Sequence, residues 1–356
     1  MLDRIKQSQA AIQVAWLTGK ILNHRIPGFV SRTATGEPRT ALLSTPDSTP
    51  GTEQGSVSEF DTQQFRSSIH PTPNCPILTS DDVTDFGAVD FVADPFLFPG
   101  EDKWYLFFEI FNDDRDPDAV IGLATSPDGY EWNYEGVVLQ TEKHLSFPYL
   151  FEWDGERYML PETGGEGDTM VELYKASDFP IAWNRCAIPV SGTHDTDDAV
   201  IFRWNGRWWL VVGDATISGV HLYYSELIER DGWHSHPDNP VVTNRSIAYR
   251  PAGRPVVTQD RIVIFYQDCA NRYGEHVRAY EITRLDPTGF ADNELDGSPV
   301  LEGEKTRIGW NSGRMHHIDP WYFDGQWLCA VDGNIQNSKL FTNNHWSIGI
   351  YTSDQL

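Results

Sequence analysis

Asp94-Pro95-Phe96-Leu97-Phe98, followed after a short gap by Lys103-Trp104-Tyr105-Leu106-Phe107-Phe108-Glu109, reads as an apolar hairpin opened and closed by acids. The pattern returns four times. Phe147-Pro148-Tyr149-Leu150-Phe151 leads through Asp154-Gly155 to Arg157-Tyr158-Met159-Leu160-Pro161-Glu162. Asp198-Ala199-Val200-Ile201-Phe202 leads through Asn205-Gly206 to Arg207-Trp208-Trp209-Leu210-Val211-Val212-Gly213-Asp214. Gly253-Arg254-Pro255-Val256-Val257 precedes Arg261-Ile262-Val263-Ile264-Phe265-Tyr266-Gln267-Asp268, and Asp319-Pro320-Trp321-Tyr322-Phe323 precedes Gln326-Trp327-Leu328-Cys329-Ala330-Val331-Asp332. Asp-Gly and Asn-Gly between apolar runs are hairpin turns, because both central residues tolerate the positive φ that such turns need. The copies begin 53, 51, 55 and 66 residues apart. Each is followed by a further strand-like stretch, such as Ile121–Ser126 or Val220–Ser225, and often by a turn with an aromatic residue, as in Asp231-Gly232-Trp233. Five copies of three or four strands each predict an all-β fold, a five-bladed β-propeller; two stacked sandwiches would not repeat one hairpin five times.

Outward from the repeat, the composition changes near residue 75. Residues 31–74 are rich in Ser, Thr, Pro, Gly and Gln, a mixture that buries too little apolar surface to offset chain entropy, and they read as a linker or loosely draped arm. Residues 1–30 contain an apolar stretch with polar interruptions, Ala10–Leu22, which reads as part of an amphipathic helix. The expected organisation is therefore a helical segment over 1–30, a linker over 31–74 and the propeller over 75–356. No run of eighteen apolar residues is present, so no transmembrane helix is expected. The chain of 356 residues carries 27 Lys and Arg against 52 Asp and Glu, a formal net charge of −25, which repels nucleic acid and anionic membrane surfaces. Its four cysteines, Cys75, Cys186, Cys269 and Cys329, are widely spaced and form no zinc-type cluster. They read as unpaired, mostly buried thiols and favour a reducing compartment, the cytoplasm.

In a propeller the first strand of each blade lines the central channel. The repeat puts Asp94, Phe147, Asp198, Gly253 and Asp319 at one position there, and Glu109, Glu162, Asp214, Asp268 and Asp332 at another, where the following strand ends. Five acids at one structural position are either a capping device or a charged funnel. Arg250 and Arg254 flank Pro251-Ala252-Gly253; they read either as internal partners of these acids or as a fork for a sugar carboxylate or phosphate. His316 and His317 precede Asp319 and are either structural or bind a metal or water, while His144 and His194 precede the inner strands of blades two and three and could line the rim. Trp104, Trp208 and Trp209 lie on second strands and read as core between blades.

Val92-Ala93-Asp94-Pro95-Phe96 within five blades resembles the signature of the five-bladed glycosidase superfamily related to glycoside hydrolase family 43. The stretches Pro76-Ile77-Leu78-Thr79, Asp82-Val83-Thr84-Asp85, Phe107-Phe108-Glu109, Leu160-Pro161-Glu162, Arg250-Pro251-Ala252-Gly253-Arg254 and Gln267-Asp268-Cys269 more closely resemble the N-terminal domain of plant glucosamine inositolphosphorylceramide transferases and its stand-alone bacterial relatives. The similarity spans about Cys75 to Asn334. The resemblance implies an acidic, sugar-facing pocket at the axis and, most directly, inverting hydrolysis. Asp94 would be general base, Glu162 general acid and Asp198 the residue that tunes their protonation, with the acid and base about 6.5–9.5 Å apart to admit a water. Arg250, Arg254, His317, Asp319, Asp268 and Glu109 would complete the substrate contacts.

Phe147 departs from the family 43 pattern, which has an inner-strand Asp in that blade, and the catalytic domain of the plant transferases has no counterpart in this chain. Two other readings follow: a glycan-binding propeller that partners a glycosyltransferase, and a propeller that itself performs glycosyl transfer. The expected ligand is a saccharide or glycoconjugate. No resident metal is assigned from spacing, Asp195-Thr196-Asp197 being a poor nucleotide-sugar site inside a repeat. A calcium ion at the propeller axis is the one cofactor left open.

Overall fold

The computed structural model describes residues 60–164, 169–192, 194–304, 309–323, 325–335 and 345–353. The expected helical segment 1–30 and most of the linker, up to residue 59, lie outside the described residues. Five antiparallel sheets form the ring of a five-bladed propeller, as the repeat requires. Blade one comprises Phe91–Pro99, Trp104–Phe111, Ala119–Ser126 and Asn133–Leu139. Blade two comprises Leu145–Trp153, Glu156–Thr163, Met170–Asp178 and Ala182–Ser191, and blade three Asp197–Trp204, Arg207–Asp214, Gly219–Ser225 and His234–Ser235. Blade four is built on Ile262–Asp268, His276–Asp286 and Gly289–Glu294, and blade five on Ile318–Phe323, Gln326–Asn334 and Trp346–Ser353.

The outermost strand of blade five comes from the other end of the fold. Ile69–Pro71 pairs antiparallel with Trp346–Ser353, Ile69 opposite Ser353 and Pro71 opposite Tyr351. Just before it, the helix Thr62–Ser68 is capped by Asp61, whose carboxylate accepts the Gln64 amide at 2.8 Å. Phe60 and Phe65 set their rings on Trp327 at 5.6 and 5.1 Å. Residues 60–74, assigned to the linker by composition, are thus part of the propeller. The edge of Trp346–Ser353 needs a partner strand, and two buried phenylalanines anchor the segment that supplies one.

The core lies between blades. Trp208 meets Phe151 and Trp153 of blade two, and Trp104 meets Trp321 and Phe323 of blade five, the inter-blade packing expected of these tryptophans. All four cysteines are unpaired, but only Cys329 is fully buried; the other three are half-buried.

Blade four departs from its siblings. Its inner strand is split into Arg250–Pro251 and Val256–Val257 around Gly253, at φ +129°. A β-carbon on Gly253 would stand 1.8 Å from the Ile318 carbonyl oxygen, so only glycine allows blade five to approach this closely. The break sends Arg254 inward. Its Nε donates to Asp319 at 2.6 Å and its Nη1 to the Leu150 carbonyl at 2.7 Å, while its guanidinium faces the rings of Tyr149 and Trp321. Asp319 also accepts the Leu97 amide and the Trp321 indole N–H. The pair is 1% and 0% exposed and ties the inner strands of blades one, two, four and five together.

Removing one member of such a pair leaves an uncompensated buried charge. Asp319→Ala is therefore expected to lower the unfolding free energy by about 3–5 kcal/mol, read as a reduced urea midpoint. A midpoint within error of the parent would contradict this role.

Candidate functional site

The pocket is assembled by a backbone irregularity repeated at the same place in successive blades. In blades one, two and three the pairing of inner and second strands shifts register between Ala93 and Phe96, between Ser146 and Tyr149, and between Asp197 and Ala199. At each shift a non-glycine residue adopts left-handed backbone: Asp94 at φ +50°, Phe147 at +46° and Asp198 at +31°. Such a conformation costs roughly 1–2 kcal/mol per residue, and bulges of this kind re-aim side chains. Two of the three bulges turn a backbone amide toward an acid of the preceding blade. The Asp94 N–H donates to Asp332 of blade five at 3.2 Å, and the Asp198 N–H donates to Glu162 of blade two at 2.8 Å.

The ring of five acids thus divides. Glu162 and Asp332 cap neighbouring bulges. Asp214 and Asp268 accept the amides of Thr216 and Ala270 in their own following loops. Glu109 receives no hydrogen bond from the described residues; the ring nitrogen His144 Nε2 lies 3.7 Å from it. The two readings of the ring, cap and funnel, both apply, to different members.

Arg250 sets the charge distribution. Its Nε donates to Asp198 at 2.6 Å, its Nη1 to Asp197 at 3.0 Å and its Nη2 to Glu162 at 2.9 Å, while Gln267 Nε2 donates to the same Asp198 oxygen at 2.8 Å. One guanidinium faces three carboxyls, so they do not titrate alike. Burial alone would raise Glu162, but Arg250 and the Asp198 amide outweigh it and hold this acid below its usual range. Burial pushes Asp198 well up, and the Glu162 charge adds to the effect against Arg250. Burial likewise raises Asp94 to about 6, opposed by His316 and reinforced by Asp332. Glu109 is pushed well above its ordinary value by burial and then by the charges of Asp94, Glu162 and Asp332. Glu109 and Asp198 are thus pushed toward the protonated form, and Glu162 and Asp332 toward the ionised one.

The histidines behave differently from one another. His316 donates from Nδ1 to Asp332 at 2.7 Å, stacks on Trp346 at 4.1 Å and meets the edge of Tyr273 at 5.3 Å. His317 is fully buried, and burial lowers it to about 3, so it is neutral; its Nδ1 lies 3.7 Å from Asp94 Oδ1. Phe147 and Phe96 place their rings against His317 at 5.3 and 4.6 Å. The departure at Phe147 thus builds an apolar wall beneath Asp94 where a carboxylate would add charge.

Asp94, His316 and Asp332 bring ligand atoms within 4.8 Å of one another. The Asp332 oxygens, however, already accept from the amides of Asp94, His316 and His317 and from the His316 ring. Calcium takes about 6–8 oxygen ligands, and in this group of three the Asp332 oxygens are already engaged, which leaves the Asp94 carboxylate, with Oδ1 buried and without a hydrogen bond. These three residues by themselves do not supply a calcium site.

Of the residues expected from the sequence, Asp94, Glu109, Glu162, Asp198, Arg250 and His317 come together. Arg254 and Asp319 instead form the buried axial pair, and Asp268 is ion-paired with Arg278 at 2.8 Å. Glu162 lies within the strand Glu156–Thr163, opposite Ser146, and not on a loop. Sequence reasoning did not place Asp197 or Tyr273 in the site. Tyr273, 44% exposed, holds its ring over Arg250 at 5.3 Å at the rim, and nothing in its loop sequence marks it.

Residues 53–334 match the family model described as glucosamine inositolphosphorylceramide transferase 1, N-terminal. The protein of that name from Oryza sativa subsp. japonica is 32% identical over 278 residues, covering 75% of this chain and 36% of the plant protein. The chain spans about a third of the length of the plant relatives it matches. Among solved structures, a β-1,2-mannobiose phosphorylase from Listeria innocua superposes with a TM-score of 0.60 at 12% identity, over 80% of this chain and 96% of that one. A glycosyl hydrolase from Bacteroides ovatus gives 0.59 at 12% identity, over 79% and 93%. At such identities these likenesses establish the five-bladed fold alone. With the family model covering most of its length and a relative 32% identical over 75% of it, this chain belongs to the family of the N-terminal domain of glucosamine inositolphosphorylceramide transferase 1.

Proposed function

We propose that the axial pocket carries acid–base chemistry at a glycosidic bond, with a saccharide or glycoconjugate as substrate. The observation that carries this reading is the pairing of two buried carboxyls of different charge preference on adjacent strands. Asp94 sits on the bulge next to Ala93, and Ala93 lies directly opposite Glu109 in the ladder. Asp94 titrates near 6 and serves as the base; Glu109 retains its proton and serves as the acid. In hydrolysis, a water oxygen bonds to the anomeric carbon as its proton passes to Asp94. The bond to the leaving oxygen breaks as that oxygen takes the proton of Glu109. An acceptor hydroxyl in place of water makes the same step a glycosyl transfer, in keeping with the name of the plant relatives. Glu162, held ionised by Arg250, is poorly suited to the donor role that the family 43 resemblance implies; with Asp198 it fixes the guanidinium and the local field. Tyr273 offers its exposed ring at the rim as a stacking face for a sugar.

A second reading, a glycan-binding propeller that serves a glycosyltransferase, draws on Phe147 and on the clamped state of Glu162. The two separate on turnover. Purified chain is offered a panel of aryl glycosides and, with acceptor, activated sugars. Asp94→Asn is expected to lower kcat/KM by about 10²–10⁴-fold with little change in Tm. Binding of glycan without turnover by the parent chain would favour the second reading and sink the first.

Glu109→Gln is expected to lose as much on unactivated glycosides yet recover on aryl glycosides with an acidic leaving group, which need no proton. Glu162→Gln should not show that recovery. The opposite pattern would return the acid role to Glu162.

The pH profile carries its own sign. The base must be ionised, and burial raises it to about 6. Hence kcat/KM should rise with pH through an acid-limb midpoint near 6 and fall again at higher pH as Glu109 loses its proton. A midpoint near that of a free carboxylate would place the base elsewhere.

A further inference from the structure

At the seam between blades one and two, a histidine lies beside Glu109. His144 comes immediately before the inner strand Leu145–Trp153, and Asp118 immediately before the strand Ala119–Ser126. Each is fixed by its backbone: the His144 carbonyl accepts the Gly164 amide at 2.8 Å and the Asp118 carbonyl accepts the Asn112 amide at 2.7 Å. Across the seam, His144 Nδ1 lies 2.9 Å from Asp118 Oδ1, and the opposite ring nitrogen, Nε2, lies 3.7 Å from Glu109 Oε1. Side-chain exposure rises along this line, from 8% at Glu109 through 22% at His144 to 41% at Asp118. The three residues thus lead from a buried carboxyl to solvent.

A carboxylate only accepts hydrogen bonds, so the contact with Asp118 puts a proton on Nδ1 and orients the ring. Toward Glu109, Nε2 then offers a lone pair in the neutral ring and a proton in the imidazolium. The 3.7 Å gap exceeds an ordinary N–H···O separation by about 0.8 Å, and contacts of this kind tighten once one partner becomes charged. Glu109 needs such a partner. Burial, then Asp94, Glu162 and Asp332, disfavour its charge, so without its proton it is an anion with no donor beside it. The same burial brings its proton affinity toward that of an ordinary imidazole, which eases exchange between the two. Among the described residues, the charged groups facing His144 are Asp118 and Glu109 of blade one and Glu162 of blade two, while Lys143 has its Nζ 3.7 Å from Glu172.

We propose that Asp118, His144 and Glu109 form a proton relay that renews the proton of Glu109 from solvent. The inference rests on the reading of Glu109 as proton donor. After the leaving oxygen has taken the Glu109 proton, the His144 imidazolium gives its Nε2 proton to the carboxylate: the N–H bond breaks, the O–H bond forms and the positive charge is quenched. The neutral ring, kept in its Nδ1–H form by Asp118, takes a proton back from water. Asp94 releases to solvent the proton it received from the attacking water, so the cycle consumes none. His144 touches no substrate in this scheme; it is a positioning residue that acts through Glu109.

The test follows the histidine ring nitrogens of the full chain by NMR as pH is varied, with His144→Asn to identify the His144 signals. The neutral ring is expected to carry its proton on Nδ1. Its titration is expected to show two steps in the parent, the second reporting Glu109, and one step in Glu109→Gln. Asp118→Ala, at a part-exposed site, is expected to lose the Nδ1–H preference and carries the test should His144→Asn fail to fold. The same curve in parent and Glu109→Gln, or a neutral ring protonated on Nε2, would overturn the relay. In turnover, His144→Asn is expected to lower kcat on unactivated glycosides about 10²-fold at unchanged KM, with imidazole in the buffer restoring it. A loss that imidazole does not restore would make the residue structural and overturn the relay as well. The NMR result needs no turnover, so failure of the catalytic reading, seen as a parent chain without activity, is distinct from failure of the relay, seen as an uncoupled ring.

Discussion

The pocket depends on one recurring exchange between neighbouring blades: an inner strand breaks its ladder at a left-handed residue, and an acid from the blade before it accepts the amide so released. Asp332 does this for Asp94 and Glu162 for Asp198. The exchange links two costs that would each be prohibitive alone. A left-handed aspartate is strained, and a buried carboxylate without donors is poorly solvated. Together each offsets part of the other, and the result is a carboxyl group aimed at the axis from a rigid sheet.

The same arrangement explains why the acids differ. All five lie at or near the end of a second strand at nearly the same spacing, yet they differ in the partner that reaches them. Arg250 reaches Glu162, His316 reaches Asp332, Arg278 reaches Asp268, and no donor among the described residues comes within hydrogen-bond distance of Glu109. The field at the axis is thus a matter of cation placement, with carboxylates supplied in excess by the repeat.

The repeat was legible because the propeller hairpin is a local pattern, written in alternating apolar runs and turn residues. Asp94 and Asp198 were legible for the same reason, as matching positions in different copies. Arg250 and Arg254 were not separable: four residues apart in one Pro/Gly stretch, they part company only because Gly253 must yield to the Ile318 carbonyl, and that carbonyl is distant in sequence. The choice between Glu109 and Glu162 as proton donor was hidden likewise, since it rests on a guanidinium from blade four. Ile69-His70-Pro71 has no strand signature of its own; its conformation is imposed by the free edge of Trp346–Ser353.

That borrowed edge also sets a timetable. A chain emerging from a ribosome can build blades one to four as local units, but the fifth sheet waits until Ser353 and its neighbours are out and can recapture Ile69. The Asp332 side chain belongs to that last sheet, so the carboxyl at Asp94 gains its hydrogen-bonding frame only when the circle is sealed. A nascent or clipped form lacking Ile69–Pro71 or Trp346–Ser353 would carry most of the blades with the fifth sheet, and the frame around Asp94, unfinished.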